Sequence, residues 1–71
     1  MQNRILQLRK RYGYSQGKLA ELAGVTRQTI NAIENAKYSP SLELAFTLAN
    51  LLNVTVDELF TMKGVDKNDM D

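Results

Sequence analysis

Residues 15–35, SQGKLAELAGVTRQTINAIEN, predict two short helices joined by a tight turn. Ser15 and Thr26 are good N-caps, because a hydroxyl group can accept a hydrogen bond from a free amide one turn into the helix. Gly24 lies between them, where a helix that ends in the left-handed conformation favours a residue without a β-carbon. The sequence therefore predicts a capped helix, a glycine turn and a second capped helix.

The second predicted helix has a polar face opposite an apolar one. At about 100° per residue, Ile30 and Ile33 lie at roughly 300° and 240° from Arg27, whereas polar side chains occupy the arc from about 0° to 140°. Arginine pairs with guanine, glutamine and asparagine pair with adenine, and a methyl group can contact thymine. We therefore predict a base-reading face. Its residues are Arg27, Gln28, Asn31 and Ala32.

The order of these features is typical of a helix-turn-helix motif, in which the second helix can lie in the major groove of DNA. Ala20 lies four residues before Gly24 and is small, as the close approach of a crossing helix requires. A face made only for solvation would more often carry Glu and Lys. An ordinary pair of amphipathic helices is the alternative that the spacing alone leaves open.

Charge is divided unevenly along the chain, although the net charge of the 71 residues is only +1. Residues 1–40 carry seven basic and two acidic side chains, a balance of +5. Residues 41–71 carry two basic and six acidic side chains, a balance of −4. A basic half that contains the helix-turn-helix is expected of a phosphate-binding surface, although charges can also segregate by chance. We expect the acidic half to face away from DNA.

Two longer segments resemble the phage-repressor helix-turn-helix family, also called XRE-type, which includes the lambda and 434 repressors and Cro. They are LRKRYGYSQGKLAELAGVTRQTINAIEN and KYSPSLELAFTLANLLNVTVDELF, and the resemblance covers about residues 4–60. It implies an all-α, compact five-helix lambda-repressor-like domain with helices 2 and 3 as the helix-turn-helix. We predict this domain in residues 1–62 and an acidic, flexible tail in residues 63–71.

The resemblance implies roles for further residues. The family commonly pairs an arginine at the position of Arg9 with a glutamate at that of Glu34, which would fix the recognition helix against helix 1. A glutamine at the position of Gln16 commonly contacts a phosphate and braces the recognition helix. Lys37 and Tyr38 lie where the family touches the sugar-phosphate backbone, although Tyr38 is equally suited to packing. The full set of predicted backbone contacts is Gln16, Thr26, Thr29, Asn35, Lys37 and Tyr38.

Position 36 departs from the family, which usually has a glycine where the chain turns with a positive φ. Alanine in the left-handed conformation would cost about 1–2 kcal/mol. Either Asn35 adopts that conformation or the helix runs one residue longer. If φ at Ala36 is positive, we expect a glycine there to raise the melting temperature.

The remaining helices are predicted at about residues 3–11 and 41–52, with a short fifth helix after the capping box of Thr55 and Glu58. Ile5, Leu8 and Tyr12 form a core stripe on helix 1, and Leu19, Leu22 and Ala23 form one on helix 2. Helix 4 is apolar over most of its circumference, so that several of its sides must be covered. In relatives this region often forms a two-fold dimer, and Thr61–Lys63 could add a short strand to it. The predicted homodimer residues are Leu44, Leu51, Val54, Val56 and Leu59.

Several classes of function are disfavoured by composition. The chain has no cysteine and no histidine, which excludes disulfides, thiol chemistry and the usual zinc sites. Asp66, Asp69 and Asp71 do not follow the pattern of a calcium-binding loop, so we expect neither metal nor cofactor. No nucleophile has a candidate base, and no glycine-rich phosphate loop is present, so we do not expect an enzyme. With no signal peptide and no apolar run long enough to span a membrane, we expect a cytoplasmic protein.

These features together predict a sequence-specific regulator of transcription. We expect a homodimer that binds an inverted repeat in double-stranded DNA, with half-sites about 34 Å apart. We predict that it acts as a repressor, and activation of transcription is the alternative that this fold leaves open. An antitoxin, which would also hold a protein partner, and a restriction-modification controller are the alternatives. Persistent co-purification with another protein would favour the antitoxin.

Overall fold

The computed structural model describes residues 1–61, which form five helices and two very short strands. The helices are α1 (Ile5–Arg11), α2 (Gln16–Ala23), α3 (Arg27–Glu34), α4 (Leu42–Leu51) and α5 (Val56–Leu59). Strand β1 (Gln2–Asn3) pairs antiparallel with β2 (Phe60–Thr61), with Gln2 opposite Thr61. The predicted five-helix fold is confirmed, and the small ribbon joins the first of the described residues to the last of them.

This ribbon corrects two details of the sequence interpretation. Helix α1 begins at Ile5 and not at Asn3, because the backbone of Asn3 pairs with Phe60 and its side-chain oxygen accepts the amide of Ile5 at 3.1 Å. Thr61 does lie in a strand, but its partner is Gln2 of the same chain and not a second copy. The predicted tail at residues 63–71, with its three aspartates, lies outside the described residues.

Hydroxyl side chains cap four of the five helices, and three of these caps, at Ser15, Thr26 and Thr55, are the predicted ones. The side-chain oxygens of Ser15, Thr26 and Ser41 accept hydrogen bonds from the amides three residues on, at 3.0, 3.3 and 3.2 Å. Thr55 and Glu58 form the complete capping box, since each side chain accepts the other's amide. These caps separate the helices cleanly and place the start of α3 at Arg27.

Left-handed residues terminate the first four helices. Gly13 and Gly24 both have φ of 76°, whereas Ala36 has 59° and Asn53 has 58°. After α3 the amide of Ala36 donates to the carbonyl of Ile33 and that of Lys37 to the carbonyl of Ala32, both at 2.9 Å. This is a complete Schellman ending with alanine at the position that usually requires glycine. Ala36, and not Asn35, therefore adopts the positive φ.

One hydrophobic core lies between the helices and is closed by α5 and β2. It consists of Ile5, Leu8, Leu19, Ala20, Ile30, Ile33, Ala45, Leu48, Ala49, Leu52, Leu59 and Phe60. Two residues of the predicted core stripes are exposed instead. Leu22 lies about 110° from the buried face that Leu19 and Ala20 define. Tyr12 follows the last turn of α1 and packs beside Tyr14, with ring centroids 6.3 Å apart.

Helix α4 buries one face and leaves apolar side chains along both edges of it. Leu44 and Leu51 are half-buried on one edge, and so are Val54 and Val56 beyond the helix. On the other edge Leu42 and Phe46 are 70% and 54% exposed. Leu59 is 0% exposed inside the monomer, so its prediction as an interface residue is wrong: its side chain closes the core beneath α5. None of the helices within residues 1–61 has the length and apolarity needed to cross a membrane.

Candidate nucleic-acid interface

The third helix is fixed by its apolar edge and presents its polar edge to solvent. Ile30 and Ile33 are fully buried against the other helices, and α2 and α3 pack closely together. On the opposite side, Arg27, Gln28 and Asn31 are all exposed. The structure thus shows the two opposed faces that the 3.6-residue periodicity of this segment predicts.

Two neighbouring surface depressions bring the predicted base-reading residues together. The first is lined by Gln16, Arg27, Gln28 and Asn31. The second shares Gln28 and is lined in addition by Thr26, Thr29, Ala32 and Tyr38. Ala32 is half-buried, so that its methyl group forms the floor of this surface and does not project from it. Because both depressions share Gln28, they form one continuous surface along the first two turns of α3.

The predicted backbone-contact residues lie within the helix-turn-helix or just beyond the end of α3. Thr26 caps α3 and its hydroxyl also lies 3.0 Å from that of Thr29, so both side chains are engaged at the start of the helix. Asn35 is exposed, and its amide donates to the backbone carbonyl of Asn31 at 2.9 Å. Lys37 and Tyr38 are exposed just beyond the helix, and Tyr38 lines the second depression. Thr26, Thr29 and Tyr38 therefore line this surface, whereas Asn35 and Lys37 are exposed at the end of α3 and just beyond it.

A buried ion pair fixes the end of α3 against α1. Arg9 donates from Nε and Nη2 to the two carboxylate oxygens of Glu34, at 3.0 and 2.8 Å. The two side chains are only 10% and 8% exposed, and Nη1 of Arg9 also donates to the carbonyl of Tyr14 at 3.1 Å. The hydrogen bond to Glu34 raises the pKa of Arg9 above its ordinary value, although burial opposes this. Because the bidentate geometry constrains both side chains, the pair sets how α3 lies on α1.

Gln16 connects this ion pair to the exposed face. Its side-chain nitrogen donates to Oε1 of Glu34 at 3.3 Å, and its side-chain oxygen accepts from Nδ2 of Asn31 at 3.4 Å. Four side chains from three helices therefore form one hydrogen-bonded series: Arg9, Glu34, Gln16 and Asn31.

Asn3 is a bracing residue that sequence reasoning missed. Its side-chain nitrogen donates to the backbone carbonyl of Ile33 at 2.8 Å and so ties β1 to the last turn of α3. The contact joins residues 30 positions apart and depends on the pairing of β1 with β2. No local pattern in the sequence signals it, since an asparagine near a terminus is usually solvated.

The fold and this surface together define a small helix-turn-helix DNA-binding domain. The helix-turn-helix family matches residues 5–59, and the chain belongs to this family, in its XRE-type form, as a transcriptional regulator. The chain is 44% identical over 63 residues to YgzD of Bacillus subtilis, named an uncharacterized HTH-type transcriptional regulator; the match covers 89% of this chain and 96% of YgzD. The family is of the DNA-binding regulator type and not of an enzyme type.

Solved structures of similar proteins have the same fold. The restriction-modification controller protein C.AhdI of Aeromonas hydrophila is 35% identical, with a TM-score of 0.73 and coverage of 80% of this chain and 86% of C.AhdI. The DNA-binding domain of SinR from Bacillus subtilis is 36% identical, with a TM-score of 0.74 and coverage of 87% and 91%. SinR in a crystal structure of its complex with DNA is 41% identical in sequence to this chain, with a TM-score of 0.67 and coverage of 75% of this chain and 86% of the SinR chain.

Proposed function

We propose that this regulator is a repressor that binds an inverted-repeat operator as a homodimer, with one α3 helix in each of two successive major grooves. One observation carries the proposal. Arg27, Gln28 and Asn31 are exposed together while Ile30 and Ile33 hold the opposite edge of the helix in the core. The guanidinium of Arg27 offers paired donors for a guanine, and the carboxamides of Gln28 and Asn31 each offer a donor and an acceptor for an adenine.

Base recognition is assigned to the first two turns of α3. Arg27 would donate bidentately to a guanine, and Gln28 and Asn31 would each pair with an adenine. Ala32 would contribute a methyl group to a thymine, since its side chain lies at the floor of the same surface. Similarity to SinR, which has been crystallised with DNA, supports this use of the fold.

Contacts to the sugar-phosphate backbone would hold the helix in register and carry no base information. Lys37 supplies a charge for this purpose, and the N-terminus of α2 at Gln16 supplies amides and the positive end of a helix dipole. Thr26, Thr29 and Tyr38 would complete the set because they line the second depression, and Asn35 would join them because it is exposed at the end of α3.

The second copy is proposed to bind at α4 and the segment after it, through Leu44, Leu51, Val54 and Val56. All four are half-buried apolar side chains at the border of the core, so further burial against a partner would be favourable. The opposite edge of α4 provides a matched control. We expect Leu51→Asp to halve the mass measured by sedimentation, while Phe46→Asp leaves the dimer intact; the reverse pattern would move the interface to the other edge.

Selection of binding sites from random duplex DNA tests the function as a whole. We expect an inverted repeat whose half-sites are centred about 34 Å apart, bound by a species of twice the 8.0 kDa chain mass. A single unrepeated site bound by a monomer would contradict the homodimer. Repression is tested separately, since a reporter gene with the selected site overlapping its promoter should lose expression when the protein is produced.

A restriction-modification controller is the second candidate, favoured by the structural similarity to C.AhdI. The two candidates share the DNA-binding surface and differ in the gene controlled. If the selected site lies upstream of a restriction endonuclease gene, the controller role is the better assignment.

A further inference from the structure

We infer that Glu34, a buried residue that does not face the DNA-reading surface, determines base preference by fixing the orientation of the Asn31 side-chain amide through Gln16. This inference rests on the proposed function. Hydrogen bonds link four side chains in the order Arg9, Glu34, Gln16 and Asn31. The last two lie at the surface, whereas the side chains of Arg9 and Glu34 are buried. Glu34 is accordingly a positioning residue.

The first step follows from the chemistry of a carboxylate. Ionised Glu34 can only accept hydrogen bonds, and Arg9 holds both of its oxygens in place. Gln16 must therefore turn its NH₂ group towards Glu34, as it does at 3.3 Å. The reverse orientation would set the carbonyl oxygen of Gln16 against a carboxylate oxygen, which is repulsive.

The second step fixes which atom of the exposed Asn31 side-chain amide faces Gln16. With the nitrogen of Gln16 directed at Glu34, its oxygen is the atom left to face Asn31, and Asn31 must donate to it from Nδ2. Oδ1 of Asn31 is then left for a ligand, together with the second hydrogen of Nδ2. A flipped Asn31 amide would bring two carbonyl oxygens together, so the structure disfavours it.

Base recognition depends on this order of donor and acceptor. Adenine offers the N7 acceptor and the N6 amino donor side by side in the major groove, and an asparagine pairs with both only when its nitrogen faces N7 and its oxygen faces N6. An amide held in one orientation fits the adenine in one direction only. An amide that is free to flip would also pair with the edges of other bases. The four hydrogen-bonded side chains therefore raise the discrimination between bases without adding a contact to DNA.

Gln16→Met is the most selective test, because methionine has a similar length but no amide, and the Arg9–Glu34 pair stays intact. Selection of binding sites from random duplex DNA with an Asn31→Ala variant first identifies the base pair that Asn31 reads, because preference is lost at that position. At that pair we expect Gln16→Met to lower base preference about threefold to tenfold, the range that one lost hydrogen bond allows. Preference at the pair read by Arg27 should not change.

A phosphate contact alone would give a different result. If Gln16 acted only through the DNA backbone, Gln16→Met would weaken all sequences equally and leave every base preference intact, which would overturn the inference. Glu34→Gln provides a second variant that alters the carboxylate itself. It should lower the base preference at the base pair read by Asn31 and leave the preference at the base pair read by Arg27 unchanged.

The side-chain amide of Asn31 gives a readout that needs no DNA. In the free protein its two Nδ2 hydrogens should have NMR shifts displaced from those of a solvated asparagine and reduced mobility, and both properties should move towards the solvated values in Gln16→Met. Equal amide spectra in the two proteins would overturn the inference even if specific binding is found. Conversely, absence of any preferred duplex with the amide still fixed would contradict the proposed function, and the effect of Glu34 on base preference with it, while the fixed amide itself would be confirmed.

Discussion

Ala36 ends the recognition helix in a conformation that is unfavourable for alanine, so a glycine at this position should stabilise the protein. Its φ is 59°, and a residue with a β-carbon pays about 1–2 kcal/mol for the left-handed conformation. Glycine removes that strain, but it also increases the conformational entropy of the unfolded chain, which lowers the free energy of unfolding by about 0.4–1 kcal/mol. We expect Ala36→Gly to raise the free energy of unfolding by about 0.5–1 kcal/mol as the difference of the two effects.

Little else should change in this variant. The Ala36 side chain is exposed, and the hydrogen bonds of the turn are made by backbone atoms, Ala36 to Ile33 and Lys37 to Ala32. For a domain of this size, each kcal/mol corresponds to about 4–8 °C in melting temperature, so the expected rise is about 2–8 °C. Thermal unfolding followed by far-UV circular dichroism, with urea unfolding alongside, measures both quantities.

Gly24→Ala is the matched control, because it makes the reverse change at an equivalent helix end. Gly24 has φ of 76°, and a β-carbon added there would meet no atom within 4 Å, so only backbone strain is introduced. Its melting temperature should fall by a similar amount. If Gly24→Ala falls as expected while Ala36→Gly is unchanged or less stable, the strain assigned to Ala36 is wrong.

Three further predictions concern the ion pair, the capping box and the phosphate contact. Arg9→Ala leaves Glu34 buried without its cation, so unfolding in urea should show a loss of about 3–5 kcal/mol; a loss below about 1 kcal/mol would show that the carboxylate reaches water. The amide and hydroxyl of Thr55 lower the pKa of Glu58, so its charge stabilises the fold above the unfolded-state pKa and stops doing so as pH falls through the folded-state pKa. Glu58→Gln should therefore melt below the wild type at neutral pH, and the gap should close below about pH 4; a gap independent of pH would contradict this. Lys37→Ala should weaken binding to all duplexes alike and lower by about one the slope of the logarithm of the binding constant against the logarithm of salt concentration. A change in base preference would instead assign Lys37 to base recognition.

The local chemistry of the chain made much of this fold predictable. The caps at Ser15, Thr26 and Thr55 and the glycine turn at Gly24 act within a few residues, so that their sequence positions fix the helix boundaries closely. The buried and exposed faces of α3 follow from its periodicity for the same reason.

Tertiary contacts account for what the sequence could not predict. The β1–β2 ribbon joins residues that are more than 55 positions apart in the chain, and strands of two residues have no alternation to detect. The sequence places Leu59 at a surface although it is buried, because a four-residue helix has too few positions to define its buried side. The orientation of Gln16 likewise depends on Glu34, which is 18 positions away.

The readout of DNA by α3 is tested most directly by comparing the sites selected by the wild type and by Arg27→Ala. Arg27 is exposed on the base-reading surface, and the structure describes no hydrogen bond or ion pair that its removal would break. We expect the variant to bind the preferred duplex about 1–3 kcal/mol more weakly and to accept any base at one pair in each half-site, with the other positions retained. An unchanged set of selected sequences would contradict base recognition by this face of α3.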